Sequence, residues 1–191
     1  MAKKQVVFYG AKTLAIMASD IAHEADIDIV GYIDDFEDES KIELPNFLGT
    51  LHDNLHLIDK VPFVIAVGDN LNRRKLSIKI DQLGGKIANL IHPLAYISKS
   101  TSIGQGNILF PFAYLGTNVT IGDGNVLFPN TVISHDINIG NYCLFAPSVA
   151  VAGFVEIQNE IKFATSSSIA ANSLIESGTQ IINESNWTSS R

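Results

Sequence analysis

The chain of 191 residues has a single cysteine, Cys143, and no stretch that approaches about 18 uninterrupted apolar residues. A lone cysteine closes no intramolecular disulfide, so nothing in the sequence asks for an oxidising compartment. The apolar run after Lys3-Lys4 is too short for a secretory signal, and the expectation is a soluble, cytoplasmic protein with no membrane partner. Positive charge is scarce as well: 13 Lys and Arg, scattered along the chain, stand against 20 Asp and Glu, for a net charge of −7. That balance argues against nucleic acid as a partner, because phosphate backbones are held by clustered Lys and Arg. An anionic ligand would have to be held by local groups, not by the field of the whole molecule. Charged residues make up only 17% of the chain and hydrophobic ones 46%, a composition that buries a core and argues against disorder.

What the sequence does have is a repeat. From Ile97 through Ile103, Leu109 and Leu115 to Ile181, every sixth residue is apolar and branched or aromatic, fifteen times without a miss. At the chain-wide apolar frequency, such a run would arise by chance roughly once in 100,000 trials. The residue two places earlier is restricted to small or β-branched types, as at Ala95, Thr101, Val119 and Cys143. A period of six suits neither a 3.6-residue helix nor a strand of period two. It suits short strands that turn a corner every six residues, three to a coil, with the bulky residue pointing into a narrow prism. An all-β parallel β-helix of hexapeptide repeats is therefore expected over residues 93–183, about 24 Å long at about 4.8 Å per coil, with residues 184–191 as a polar tail; prisms of this kind are known to be left-handed, a hand that the period itself does not show. Its β-branched faces suggest self-association about a threefold axis. Cys143 falls on a small interior position and reads as a core filler.

Residues 1–92 follow another pattern. Residues 5–9 form a short apolar run closed by Gly10, residues 12–24 place Leu14, Met17, Ala18, Ile21 and Ala22 on one helical face, and residues 27–33 make a second strand ending at Asp34-Asp35. Residues 62–67 make a third strand, Gly68-Asp69-Asn70 a turn with capping residues, residues 71–83 a helix stopped by Gly84-Gly85, and residues 86–91 a fourth strand. This β-α-β order predicts an α/β domain on a small Rossmann-like parallel sheet. Its ligands would lie at the carboxyl ends of the strands, at Gly10, Asp34-Asp35 and residues 68–70. The fingerprint G-x-G-x-x-G is missing, with Gly10-Ala11-Lys12-Thr13 in its place, which disfavours NAD. Acids at the end of a second strand suit a ribose hydroxyl as well as they suit a solvated turn.

Of five histidines only His135 lies inside the repeat. It follows the core residue Ile133 by two positions, so it projects outward near a corner with Asp136 beside it. An outward imidazole next to a carboxylate suits a general base, with an ordinary surface histidine as the alternative. A zinc-binding prism needs three histidines on facing coils, so no metal is expected.

The order of these motifs is itself informative. A small α/β unit joined to a hexapeptide prism, with Gly10-Ala11 after the first strand, Asp34-Asp35 after the second, the segment VIAVGDNLNRRKL at the third, the junction LIHPLAYIS and the box SHDINIG, resembles the sialic-acid O-acetyltransferase and nucleotide-aminosugar N-acetyltransferase family over residues 5–182. The resemblance implies a homotrimeric acyltransferase of polysaccharide biosynthesis that moves an acetyl group from acetyl-CoA to the amine of a nucleotide-linked amino sugar. It implies His135 as the base, made more basic by Asp136, a nucleotide-sugar site at Asp34, Asp35 and Gly68, and a CoA slot between adjacent prisms at Gly153 and Thr165. Lys12 and Arg73 are expected to help hold the polyanionic substrates. The chain departs from the family pattern at Thr13 and Leu14, where relatives carry Gly-His, and at Leu144, which replaces a second histidine near CoA. Acetylation of a hydroxyl on a sialic-acid-type sugar and a non-catalytic role are the alternative readings.

Overall fold

The computed structural model describes residues 3–35 and 44–182; the tail expected at 184–191 lies outside the described residues. Three strands, β1 (Lys4–Tyr9), β2 (Ile27–Ile33) and β3 (Phe63–Ile65), pair in parallel in the order β2-β1-β3. Helix α1 (Thr13–Glu24) follows β1 and helix α2 (Asn70–Gln82) follows β3, which is the expected Rossmann-like arrangement. Asp69 starts α2 by accepting the Asn72 N–H at 2.9 Å, so one of the helix's orphan donors is satisfied. Helix α1 buries Leu14, Ala15, Ala18, Ile21 and Ala22. Met17, expected on that face, is exposed instead: the buried arc centres on Ala18, which brings Ala15 inside it and leaves Met17 at its margin.

Residues 86–91 do not form a fourth strand of this sheet. Ile87 makes one bridge to Phe63, and Leu90–Ile91 turns away to pair with Ile108–Leu109. The hexad explains the change of partner, because Ile91 lies one repeat before Ile97 and packs against the same core.

From there to Ile181 the chain winds into a three-sided prism of parallel strands. The first face stacks six strands, from Leu90–Ile91 to Gln180–Ile181; the second stacks five, from Tyr96–Ile97 to Ser168–Ile169; the third stacks five, from Ser102–Ile103 to Leu174–Ile175. Coils stack in register, with Val126 opposite Ile108 on one side and Leu144 on the other. The repeat residues form one core, fully buried from Leu109 to Ile169 and partly buried at Ile97, Ile103, Ile175 and Ile181. Asn125 lines one interior edge: its amide donates to the Gly140 carbonyl at 3.0 Å and its Oδ1 accepts the Cys143 N–H at 2.8 Å. Cys143 is buried as expected, and burial pushes its thiol up to about 11, so it stays protonated at neutral pH.

The α/β unit sits on the first face. Leu90, Ile108, Val126 and Leu144 point outward there and form a second core with Val6, Phe8, Leu14 and Ala18. Leu144 is thus a packing residue beneath the α/β unit. Among the described residues no helix is long and apolar enough to cross a membrane.

Candidate active site

His135 stands on the edge between the second and third faces, between the strands Val132–Ile133 and Ile137–Ile139. The chain turns there at Asp136, whose φ of 54° is left-handed, a conformation that Asp and Asn tolerate better than most residues. The turn brings the Asp136 carboxylate back onto the imidazole, Oδ2 lying 2.8 Å from His135 Nδ1, while Oδ1 accepts from the Asn118 amide at 3.1 Å. The hydrogen bond to His135, reinforced by that from Asn118, holds Asp136 below the usual carboxylate range. An ionised carboxylate only accepts, so Nδ1 carries the proton and Nε2 of the neutral ring presents a lone pair. Gly153, one coil later, lies under the ring: a Cβ there would stand 2.5 Å from His135 Cε1 and 2.8 Å from Nε2. Only glycine leaves room for the imidazole to lie this way. The Phe154 ring meets the imidazole at a centroid distance of 5.2 Å and an angle of 89°.

A second feature lies at the carboxyl ends of the α/β strands. A cavity of about 380 Å³ is lined by Tyr9, residues 10–14, Asp34, residues 66–69, Asn72 and Leu76. It brings together Lys12, Asp34 and Gly68 of the expected nucleotide-sugar residues. Asp34 is buried, with Oδ2 accepting the Ala11 N–H at 3.0 Å, and a side chain added at Gly68 would meet open space. Gly10, with φ 119° and Ala66 O at 2.6 Å from any added Cβ, allows β1 to leave the sheet against β3.

Two expected ligand residues are engaged elsewhere. Asp35 does not line the cavity; its carboxylate takes the Lys79 ammonium at 2.7 Å, the Leu51 N–H at 2.8 Å and the Tyr9 hydroxyl. Burial works against its ionisation, but these donors outweigh burial and hold it below the usual range. Arg73 is fully buried and donates to Gly124 O at 2.7 Å, Val67 O at 2.8 Å and Asn70 Oδ1 at 2.8 Å. Its guanidinium is spent on protein acceptors and ties α2 to the prism. Thr165 is exposed on the edge between the first and second faces, apart from the edge that carries His135 and Gly153. The residues missed from sequence are Asn118 and Phe154, which stand one coil to either side of Asp136; counting coils of eighteen residues would have found both.

The comparison that decides the N-terminal unit is with a family model. Residues 5–80 match the PglD N-terminal domain. This PglD-type domain and the prism recur together in solved structures. The acetyltransferase domain of PglB from Neisseria gonorrhoeae FA1090 is 21% identical, over 93% of this chain and 88% of that one, with a TM-score of 0.80. A variant of perosamine N-acetyltransferase from Caulobacter crescentus, in complex with CoA and GDP-perosamine, is 18% identical over 94% and 93%, with a TM-score of 0.74. The PglB domain in complex with acetyl coenzyme A is 17% identical over 93% and 97%, with a TM-score of 0.67. The chain therefore shares the fold of these structures, an α/β unit that matches the PglD N-terminal domain followed by a parallel β-solenoid.

Proposed function

We propose that this chain is an N-acetyltransferase that moves an acetyl group from acetyl-CoA to the amine of a nucleotide-linked amino sugar, with His135 as general base. The observation that carries the reading is the state of His135: Nδ1 is committed to Asp136, the ring lies over Gly153, and Nε2 is left to take a proton. The perosamine enzyme of the same fold, solved with CoA and GDP-perosamine, supports the substrate class. In the proposed reaction the neutral amine attacks the thioester carbonyl, and a C–N bond forms as Nε2 accepts the amine proton. The C–S bond then breaks, and the imidazolium returns that proton to the departing thiolate, leaving His135 neutral. Asp136 holds the ring and stabilises the imidazolium while it exists. Lys12, Asp34 and Gly68 would hold the nucleotide in the cavity, and Gly153 and Thr165 the CoA.

One copy does not complete such a site. The PglD-type domain rests on the first face, whereas His135 stands on the edge opposite that face in a three-sided prism. A neighbouring copy must bring its cavity to this edge, and a homotrimer would do so. Tyr96 and Tyr114, stacked at 5.0 Å, lie exposed on the second face with Val132, and Leu94 and Phe112 lie exposed on the edge it shares with the first face, an apolar surface suited to that contact. Thr165 and Gly153 would then serve one CoA slot from two different copies. The test is His135→Ala assayed with a panel of nucleotide-linked amino sugars: kcat/KM should fall about 10²–10⁴-fold with the melting temperature unchanged. Mass spectrometry should place the acetyl group on nitrogen. A folded His135→Ala protein with full turnover sinks the reading.

A further inference from the structure

We propose that Phe154 is a specificity-determining residue, an aromatic platform on which the apolar face of the acceptor sugar rests beside His135. The inference rests on the acetyl-transfer reading above and adds the acceptor contact that reading lacks.

The argument begins with the backbone. On the edge between the second and third faces the left-handed corner is held by Asn118, Asp136, Phe154 and Asn172, with φ of 55°, 54°, 60° and 60°. Asn and Asp suit that conformation because their short polar side chains bond local backbone; a phenylalanine gains nothing from it. Burial does not compensate, since Phe154 is 59% exposed. Among the described residues two other aromatics hold left-handed corners, Tyr142 and Phe112. The Tyr142 ring covers Gly124, where an added Cβ would lie 2.4 Å from ring carbons; Phe112, as exposed as Phe154, stands on the edge between the first and second faces, and its N–H donates to the Leu94 carbonyl. Phe154 is engaged with His135 instead, through its ring at 5.2 Å and through its N–H, which donates to the His135 carbonyl at 3.2 Å.

This arrangement sets an exposed aromatic ring beside the imidazole of His135. A pyranose presents C–H groups on one face, and such faces stack on aromatic rings, whereas an Asn at this corner would offer hydrogen-bonding groups. The platform therefore favours an acceptor that approaches His135 with an apolar, deoxygenated face over one that approaches with a hydroxyl-rich face.

Phe154→Asn restores the side-chain type found at the neighbouring corners and relieves the backbone, so it should fold at least as well as the parent. Steady-state kinetics should show KM for the amino-sugar acceptor raised about tenfold, with KM for acetyl-CoA unchanged within about twofold, and discrimination in favour of deoxygenated acceptors reduced. Phe154→Tyr should recover most of the acceptor affinity. An unchanged acceptor KM, a rise confined to acetyl-CoA, or an altered oligomeric state by light scattering overturns the platform. If the parent chain turns over no acceptor in the panel, the acetyl-transfer reading fails, and the platform fails with it; turnover by the parent with an indifferent Phe154→Asn isolates the failure to the platform.

Discussion

A methyl group at position 153 has nowhere to go while His135 keeps its pose. The Cβ of Gly153→Ala would stand 2.5 Å from Cε1 and 2.8 Å from Nε2, well inside contact distance. The imidazole is the softer partner, because its side chain is half-exposed and the glycine is embedded in the coil. It should therefore swing away and give up the 2.8 Å contact of Nδ1 with Asp136. We expect kcat to fall about 10–100-fold, the usual cost of losing a partner that orients a functional side chain. The melting temperature should hardly move. Nitrogen NMR of the imidazole would check the cause, since the Nδ1–H signal should lose its hydrogen-bonded shift; an unaltered signal with full turnover would show that the ring tolerates the methyl. The relation was legible in principle: Gly153 follows His135 by one coil, and coils stack in register. What the hexad could not supply is the direction of the ring, which depends on the left-handed turn at Asp136.

At the scale of elements, a cluster of hydrogen bonds outside the prism closes β2 onto α2. Asp35, at the end of β2, accepts from Lys79 of α2, from Tyr9 of β1 and from the Leu51 main chain. Its side chain is only 19% exposed, and its folded pKa lies below the unfolded value. A carboxyl depressed on folding binds fewer protons in the native state than in the unfolded one. Its stabilisation is therefore present in full above about pH 4 and is lost as pH falls through the folded pKa. Asp35→Asn should cost about 1–3 kcal/mol at neutral pH. The gap from the parent should narrow as pH drops below about 4, which denaturant titrations at several pH values would read. A gap that stays constant to low pH would show that shape, not charge, matters at this position. Asp35 also shows why sequence reading stops where it does. An acid pair ending a second strand is visible, but which acid turns to the cavity and which to α2 depends on Lys79, 44 residues away. The prism was far more legible, because its core needs only one local rule repeated every six residues. The fourth strand failed for the opposite reason. Residues 86–91 have the apolar character either sheet would accept, and the tie is broken by stacking on Ile108–Leu109 in the next coil.

At the scale of the whole molecule, the question is what fixes the cavity relative to the prism. The outward residues Leu90, Ile108, Val126 and Leu144 supply a greasy contact, and a greasy contact alone sets no register. Arg73 supplies one. From α2 its guanidinium reaches Val67 and Gly68, which wall the cavity, and Gly124, Tyr142 and Cys143, which belong to two successive coils. Burial pushes it down to about 10, so it remains a cation at neutral pH, and main-chain carbonyls solvate it in place of water. Arg73→Met would leave several of those buried carbonyls without donors. The expected loss is about 3–5 kcal/mol, or roughly 6–20 °C in melting temperature for a chain of this size. Arg73→Lys should recover little of it, because an ammonium is a point donor and cannot span Val67 and Gly124 together. The functional signature should be separable from stability. Assayed well below the melting transition, both variants should show a raised acceptor KM, since the Gly68 wall has lost its anchor. Calorimetry that finds Arg73→Met as stable as the parent would mean that the apolar face positions the cavity by itself, and the arginine's hydrogen bonds would then be a consequence of that docking instead of its cause.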